Sequence, residues 1–206
     1  MIRNIVFDIG NVLIDFCWKE HIRGKGFQGE TAERIGKAMM QSPVWDELDR
    51  GVWTNEELLA GFIANDPELE EEIRVVFSDL STIVKEKEGS LAWLRSLKAG
   101  GYRVYYLSNY SRRVKAEAAA ELSFLSEMDG GIMSWEVQTV KPAPAIYRLL
   151  FEKYGLRPEE SVFLDDTQAN VDTARALGMQ GILVRDVEDA KQELEKLLEI
   201  SGGGDK

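Results

Sequence analysis

Residues 2–11 read IRNIVFDIGN, and the fold turns on how this stretch is taken. The run from Ile2 to Phe7 is short and largely apolar, stops at Asp8, and has Gly10 just beyond. An apolar run of this length, closed by turn-forming residues, predicts a buried strand that opens into a loop. The same pattern recurs in RVYYL at 103–107, followed by Ser108 and Asn109. It returns in SVFL at 161–164, followed by Asp165 and Asp166, and in GILV at 181–184, followed by Arg185 and Asp186. Between these runs, residues 90–100, 112–125, 145–155 and 170–179 have helical character. Gly100, Gly155 and Gly178 stand where a helix commonly ends in a left-handed residue. Strand alternating with helix predicts an α/β fold, a Rossmann-like parallel sheet with helices on both faces.

Residues 16–88 break that rhythm, being rich in charge and in helix signals. Thr54 with Glu57 matches a capping box, and Asp66 before Pro67 opens a further helix. The reading is an inserted α-helical cap at 16–88, an α/β core at 1–15 and 89–200, and a flexible tail at 201–206. An insert between the first and second strands lies over the C-terminal strand ends, where open α/β sheets bind ligands. Trp45, Trp53 and Phe62 read either as the insert's small core or as a cover for substrate.

The alternation carries Asp8, Ser108, Asn109, Asp165 and Asp166 to one edge of the sheet. Three carboxylates gathered there repel one another unless a cation neutralises them, and an all-oxygen donor set favours Mg2+. A carboxylate kept ionised beside such a cation can attack phosphorus, with Ser108, Asn109 and Lys141 as donors to the phosphoryl oxygens. Asn11, Asp15 and Asn170 form a second rank of candidates.

The charge balance narrows the partners. The chain has 206 residues, with 25 Lys and Arg against 36 Asp and Glu, a net charge of −11. Such a surface repels nucleic acid and anionic membranes, while a local pocket for a small phosphorylated metabolite is compatible with it. Cys17 is the only cysteine, which excludes an intramolecular disulfide. No apolar stretch approaches a membrane span and the N-terminus lacks a signal-peptide pattern, so a cytoplasmic location is expected. Nothing in the sequence specifies an oligomeric state.

Four segments in order, FDIGNVLID at 7–15, LSN at 107–109, VKPAP around Lys141 and FLDDTQAN at 163–170, resemble the four motifs of the haloacid dehalogenase superfamily. The resemblance implies that Asp8 becomes phosphorylated and that Ser108 and Lys141 hold the phosphoryl group. It also implies Mg2+ on Asp8, on the Gly10 carbonyl and on the Asp165–Asp166 pair, with Asp166 favoured as the direct ligand. The DxGNV form is similar to sugar phosphatases that act on glucose 1-phosphate.

One departure stands out. Phosphatases of this family commonly carry an aspartate two residues after the nucleophile, as general acid and base, and this chain has Gly10. An anomeric phosphate, with its good leaving group, would tolerate the loss, and Asp15 or His21 are candidate substitutes. The expected activity is magnesium-dependent hydrolysis of a small phosphate ester, a sugar phosphate foremost. The alternatives are a metal-independent 2-haloacid dehalogenase, a phosphomutase, or a degenerate member that binds a phosphometabolite or a protein without turnover.

Overall fold

The computed structural model describes residues 1–202. Five parallel strands form the central sheet: β1 (Asn4–Phe7), β4 (Arg103–Ser108), β5 (Gly130–Met133), β6 (Ser161–Asp165) and β7 (Gln180–Leu183). Their spatial order is β5-β4-β1-β6-β7, so β1 is central and hydrogen-bonded on both sides. The chain builds outward from β1 through β4 to β5, then crosses back to lay β6 on the other side. That reversal makes a crevice beyond the end of β1, the place where open α/β sheets hold ligands.

Successive side chains of a strand point to opposite faces, and the core divides accordingly. Val6, Tyr105, Leu107 and Phe163 pack on one face with Ile146, Tyr147 and Leu150 of α9 (Pro144–Tyr154) and Ala174 of α10 (Gln168–Ala176). Ile5, Phe7, Val104, Val162 and Leu164 pack on the other with Trp93, Leu94 and Leu97 of α6 (Ser90–Ala99) and Ala190 and Leu194 of α11 (Val187–Gly202). Phe7 meets Trp93 edge-on at 4.8 Å between ring centroids. The expected α/β architecture is therefore present.

The inserted stretch begins with β2 (Ile14–Phe16), runs through α1 (Trp18–Gly24), α2 (Gly29–Ala38), α3 (Pro43–Arg50), α4 (Asn55–Asn65) and α5 (Glu70–Phe77), and closes with β3 (Val84–Glu86). β2 and β3 pair antiparallel, Phe16 opposite Val84, as a two-stranded stalk under the helices. The Thr54–Glu57 capping box forms in full: the Thr54 hydroxyl accepts from the Glu57 N–H at 3.2 Å, and the Glu57 carboxylate accepts from the Thr54 N–H at 2.8 Å. Asp66 instead accepts from Arg34 at 2.6 and 2.8 Å, while Pro67–Leu69 forms a 3-10 turn ahead of α5.

Several local expectations are corrected. β5 reads GGIM, and its two glycines hid it as a strand. At Gly131 a Cβ would fall 2.3 Å from the Tyr106 ring, so the neighbouring strand's aromatic residue requires the glycine that weakens the signal. Residues 84–86 are strand within a segment expected to be helical, held by pairing too short to show as a sequence pattern. The helix expected at 112–125 is α7 (Arg112–Glu117) followed by 3-10 turns at Ala119–Glu127. There Glu117 and Glu121 accept the N–H groups of Leu80 and Glu86, tertiary contacts that override local propensity. After α6 the left-handed residue is Gly101 (φ 86°), not Gly100 (φ −73°). Ser201 and Gly202, expected in the tail, end α11, and residues 203–206 lie outside the described residues.

Candidate active site

Asp8 follows β1, Ser108 ends β4 and Asp165 ends β6, so three neighbouring strands deliver their polar termini to one place. The register sets this up, with Phe7 opposite Tyr106 on one side and Leu164 on the other. The Asp8 N–H continues the ladder to the Leu164 carbonyl at 2.8 Å. Three donors converge on Asp8 Oδ1: the Ile9 N–H at 2.7 Å, the Ser108 hydroxyl at 2.7 Å and the Lys141 ammonium at 2.9 Å.

Lys141 is 4% exposed and is shared between Asp8 and Asp165, its Nζ lying 2.6 Å from Asp165 Oδ2. Burial alone would favour loss of its proton, but Asp8 and Asp165 outweigh that and hold the ammonium above the ordinary lysine value. Burial pushes the Asp8 carboxyl up to about 6, with Lys141 opposing the rise and Asp165 adding to it. Asp165 also accepts from the Thr167 N–H at 2.8 Å and from the Asn170 amide at 2.9 and 3.1 Å. Both of its oxygens are thus engaged by protein donors. Asp166 is more open: Asn11 donates to its Oδ2 at 2.9 Å and the Thr167 hydroxyl to its Oδ1 at 3.3 Å.

Ligand oxygens of Asp8, Asp165 and Asp166 lie within 4.8 Å of one another. Three carboxylates against one buried ammonium leave an excess of negative charge, and the hard oxygen donors match what Mg2+ requires. The residues present therefore fit the cation that the sequence suggested.

The second-rank residues separate. Asn11, in the left-handed region at φ 56°, braces Asp166, and Asn170 braces Asp165. Asn109 lines the cavity, but its side chain is tied to the Lys141 backbone, accepting from the N–H at 2.7 Å and donating to the carbonyl at 3.0 Å. Its visible role is to fix the lysine. Asp15 pairs with Lys87 on the outside of the stalk and does not line the cavity. His21 is buried in the insert, 2.8 Å from the Thr82 hydroxyl and 3.2 Å from the Val76 carbonyl. That carbonyl can only accept, so Nε2 carries the proton, and burial lowers the imidazole pKa to keep the ring neutral. Neither proposed substitute acid reaches the site.

A cavity of about 230 Å³ opens over Asp8. Its polar wall includes Gly10, Asn11, Asn109, Asp166 and Thr167, and its apolar wall includes Ile14, Phe16, Trp45, Val84 and Val114. Trp45 packs toward Phe16 and Phe62 at 5.7 and 6.2 Å, as the reading of a small core expects, and also lines the cavity. Phe62 is fully buried, and Trp53 is 40% exposed and outside the cavity wall.

Sequence reasoning missed Asp49, which lines the same cavity from the end of α3. Burial pushes its carboxyl up to about 8, with repulsion from Asp46 and Asp8 adding to the rise and Lys141 opposing it. A usable signal was its spacing: Asp49 lies four residues after Trp45 and so shares the helix face that packs inward.

A family model described as haloacid dehalogenase-like hydrolase matches residues 2–178. D-ribitol-5-phosphate phosphatase of Bacteroides thetaiotaomicron is 26% identical over 210 residues, covering 96% of this chain and 99% of that protein. Bifunctional epoxide hydrolase 2 of Rattus norvegicus is 37% identical over 108 residues, a match that spans 50% of this chain and only 19% of that protein. Among solved structures, a HAD family enzyme from Bacteroides thetaiotaomicron in complex with magnesium and inorganic phosphate superposes with a TM-score of 0.68. It is 21% identical, over 89% of this chain and 94% of that one, a likeness of fold.

Proposed function

The chain belongs to the haloacid dehalogenase-like hydrolase family, and from that premise we propose that it is a magnesium-dependent phosphatase acting on a small phosphate ester, a sugar phosphate foremost, through an aspartyl-phosphate on Asp8. The observation that carries this reading is the convergence on Asp8: a buried ammonium, a hydroxyl and a backbone N–H all meet Oδ1, beside two further carboxylates. Donors placed to hold Asp8 in this way are also within reach of a phosphoryl group transferred to it. Asp8 Oδ2, which has no donor among the described residues, supplies the attacking lone pair. Ser108 and Lys141 then hold the phosphoryl oxygens, with Asn109 keeping Lys141 in register.

Asp8, Asp166 and the Gly10 carbonyl would hold Mg2+, and Asp165, engaged by Lys141, Thr167 and Asn170, orients the group. Bound there, the cation supplies charge neutralisation for the phosphoryl oxygens. The cavity's apolar wall suits the carbon skeleton of the ester, and the helical insert acts as the cap that covers it. The ribitol phosphate phosphatase, similar over nearly all of both chains, supports a phosphorylated sugar or sugar alcohol as the substrate class. The all-oxygen carboxylate group speaks against metal-independent dehalogenation.

The test is phosphate release from a panel of sugar, sugar-alcohol and aryl phosphates, with Mg2+ and with a chelator, for wild type and Asp8→Asn. Release that needs both Mg2+ and Asp8 is expected. Release that survives either loss would overturn the reading.

A further inference from the structure

The site has a nucleophile and phosphoryl donors but nothing at Gly10 to protonate a leaving oxygen. Space does not exclude a side chain there: a Cβ at Gly10 would meet nothing within 4 Å. The missing proton therefore has to come from another wall of the same cavity. Asp8, Asp49 and Asp166 are the acidic residues that line it. Asp8 is committed to attack and Asp166 lies in the carboxylate group with Asp8 and Asp165. Asp49 belongs to neither, and its carboxyl has no hydrogen-bond or ion-pair partner among the described residues.

Its position is built rather than incidental. The Ser134 hydroxyl donates to the Asp49 carbonyl at 2.6 Å and accepts from the Tyr110 N–H at 2.9 Å, fastening the end of α3 to the loop that follows Ser108 and Asn109. Two residues on, Gly51 adopts a left-handed φ of 72° against Trp135, where an added Cβ would come within 2.8 Å of the tryptophan Cβ. Only glycine lets α3 end this close to the core. Tyr110, another residue of the cavity wall, has its hydroxyl buried with no hydrogen-bond partner among the described residues.

We propose that Asp49, delivered from the insert, is the general acid and base of the reaction, filling the post that Gly10 leaves empty. This rests on the phosphatase reading. As Asp8 bonds to phosphorus, the bond from phosphorus to the ester oxygen breaks and the Asp49 proton passes to that oxygen. The resulting Asp49 carboxylate then takes a proton from water as the water oxygen attacks phosphorus. The bond to Asp8 breaks, inorganic phosphate leaves and Asp49 is protonated again. The groups facing Asp49 are Asp46 on its own helix, Asp8 and Lys141 from the core, and Tyr110 from the neighbouring loop. At neutral pH this environment keeps the carboxyl protonated, as an acid requires.

The experiment compares wild type, Asp49→Asn and Asp49→Asn/Gly10→Asp on a primary alkyl phosphate and on an aryl phosphate whose leaving group needs no proton. It follows both the first turnover and the steady state. For Asp49→Asn, alkyl turnover falls roughly 10²–10⁴-fold. The aryl ester gives a fast burst of one equivalent followed by slow release, because the phosphoenzyme forms and then waits for its base. Restoring an aspartate at position 10 recovers alkyl turnover, which separates lost acid chemistry from lost folding. Equal losses on both esters in both phases, or no loss on either, would overturn the assignment while leaving an active Asp8-dependent phosphatase in place. A wild type inert toward every ester would remove the phosphatase reading and the assignment with it.

Discussion

Two kinds of carboxylate meet across this cavity. Asp8 and Asp165 sit at the ends of sheet strands and are held by donors, with Lys141 at 2.9 and 2.6 Å and backbone and amide N–H groups supplying the rest. Asp49 arrives on a helix of the insert, is pinned through its backbone, and has no donor on its carboxyl among the described residues. The first pair is buried and compensated, whereas Asp49 is confined without compensation. Its pKa accordingly rises to about 8, against about 6 for Asp8. The donors around Asp8 hold its carboxyl below that of Asp49, a separation that burial alone does not give and that the proposed roles of nucleophile and acid require.

The largest expected effect comes from removing the compensation. Lys141→Ala leaves Asp8 and Asp165 buried without their cation and costs about 3–5 kcal/mol of stability. Thermal melts with and without Mg2+ check this, and the variant's Tm should gain more from the metal than wild type does. An unchanged Tm would mean that the carboxylates are not held by the lysine.

Next is the pH response of Asp49. Turnover of an alkyl phosphate by wild type should fall as pH rises through about 8, when the acid loses its proton, and Asp49→Asn should lose that limb of the profile. The stability sign follows from the same shift. Between 3.8 and about 8 the folded carboxyl keeps a proton that the unfolded chain has released, so this group's contribution to stability declines as pH rises across that window. Asp49→Asn should flatten that decline in a series of melts, and an Asn variant as pH-sensitive as wild type would break the contrast between the two regions.

A smaller effect is expected at Asn109. Its two hydrogen bonds to the Lys141 backbone are lost in Asn109→Ala, costing about 1–3 kcal/mol and lowering kcat more than it raises KM, because the lysine's placement suffers. The smallest is at Asp15, whose exposed pair with Lys87 lies away from the cavity. Asp15→Ala should change stability by less than about 1 kcal/mol and leave turnover on every ester unchanged. A large loss at Asp15 would restore the substitute acid that the sequence nominated.

What could be read in one dimension divides along the same line. Strand ends were legible because a buried parallel strand is a continuous apolar run, and the polar residue that stops it lies at the sheet edge. Asp8, Ser108 and Asp165 meet for that reason. β5 escaped because Gly131 yields its side chain to Tyr106, and the stalk strands because three residues carry no period. Asp49 escaped for a different reason. Helix α3 carries Asp46, Glu47 and Asp49 within four residues, and such a charge run ordinarily marks a solvated face. The spacing of four from Trp45 puts Asp49 on the inward face, and docking against the core, through Ser134 and Gly51, fixes it at the cavity. Lys141 was legible only through the motif resemblance, since a lysine before a proline has no pattern that predicts burial at 4% exposure.

The most direct test of the central claim is to mix the enzyme with Mg2+ and an aryl phosphate, quench with acid within the first turnover, and locate any added phosphoryl group by peptide mass mapping. The account predicts one phosphoryl group, on the peptide containing Asp8, accumulating in Asp49→Asn and absent from Asp8→Asn. Turnover without any phosphorylated peptide, or with the group on another residue, would contradict it.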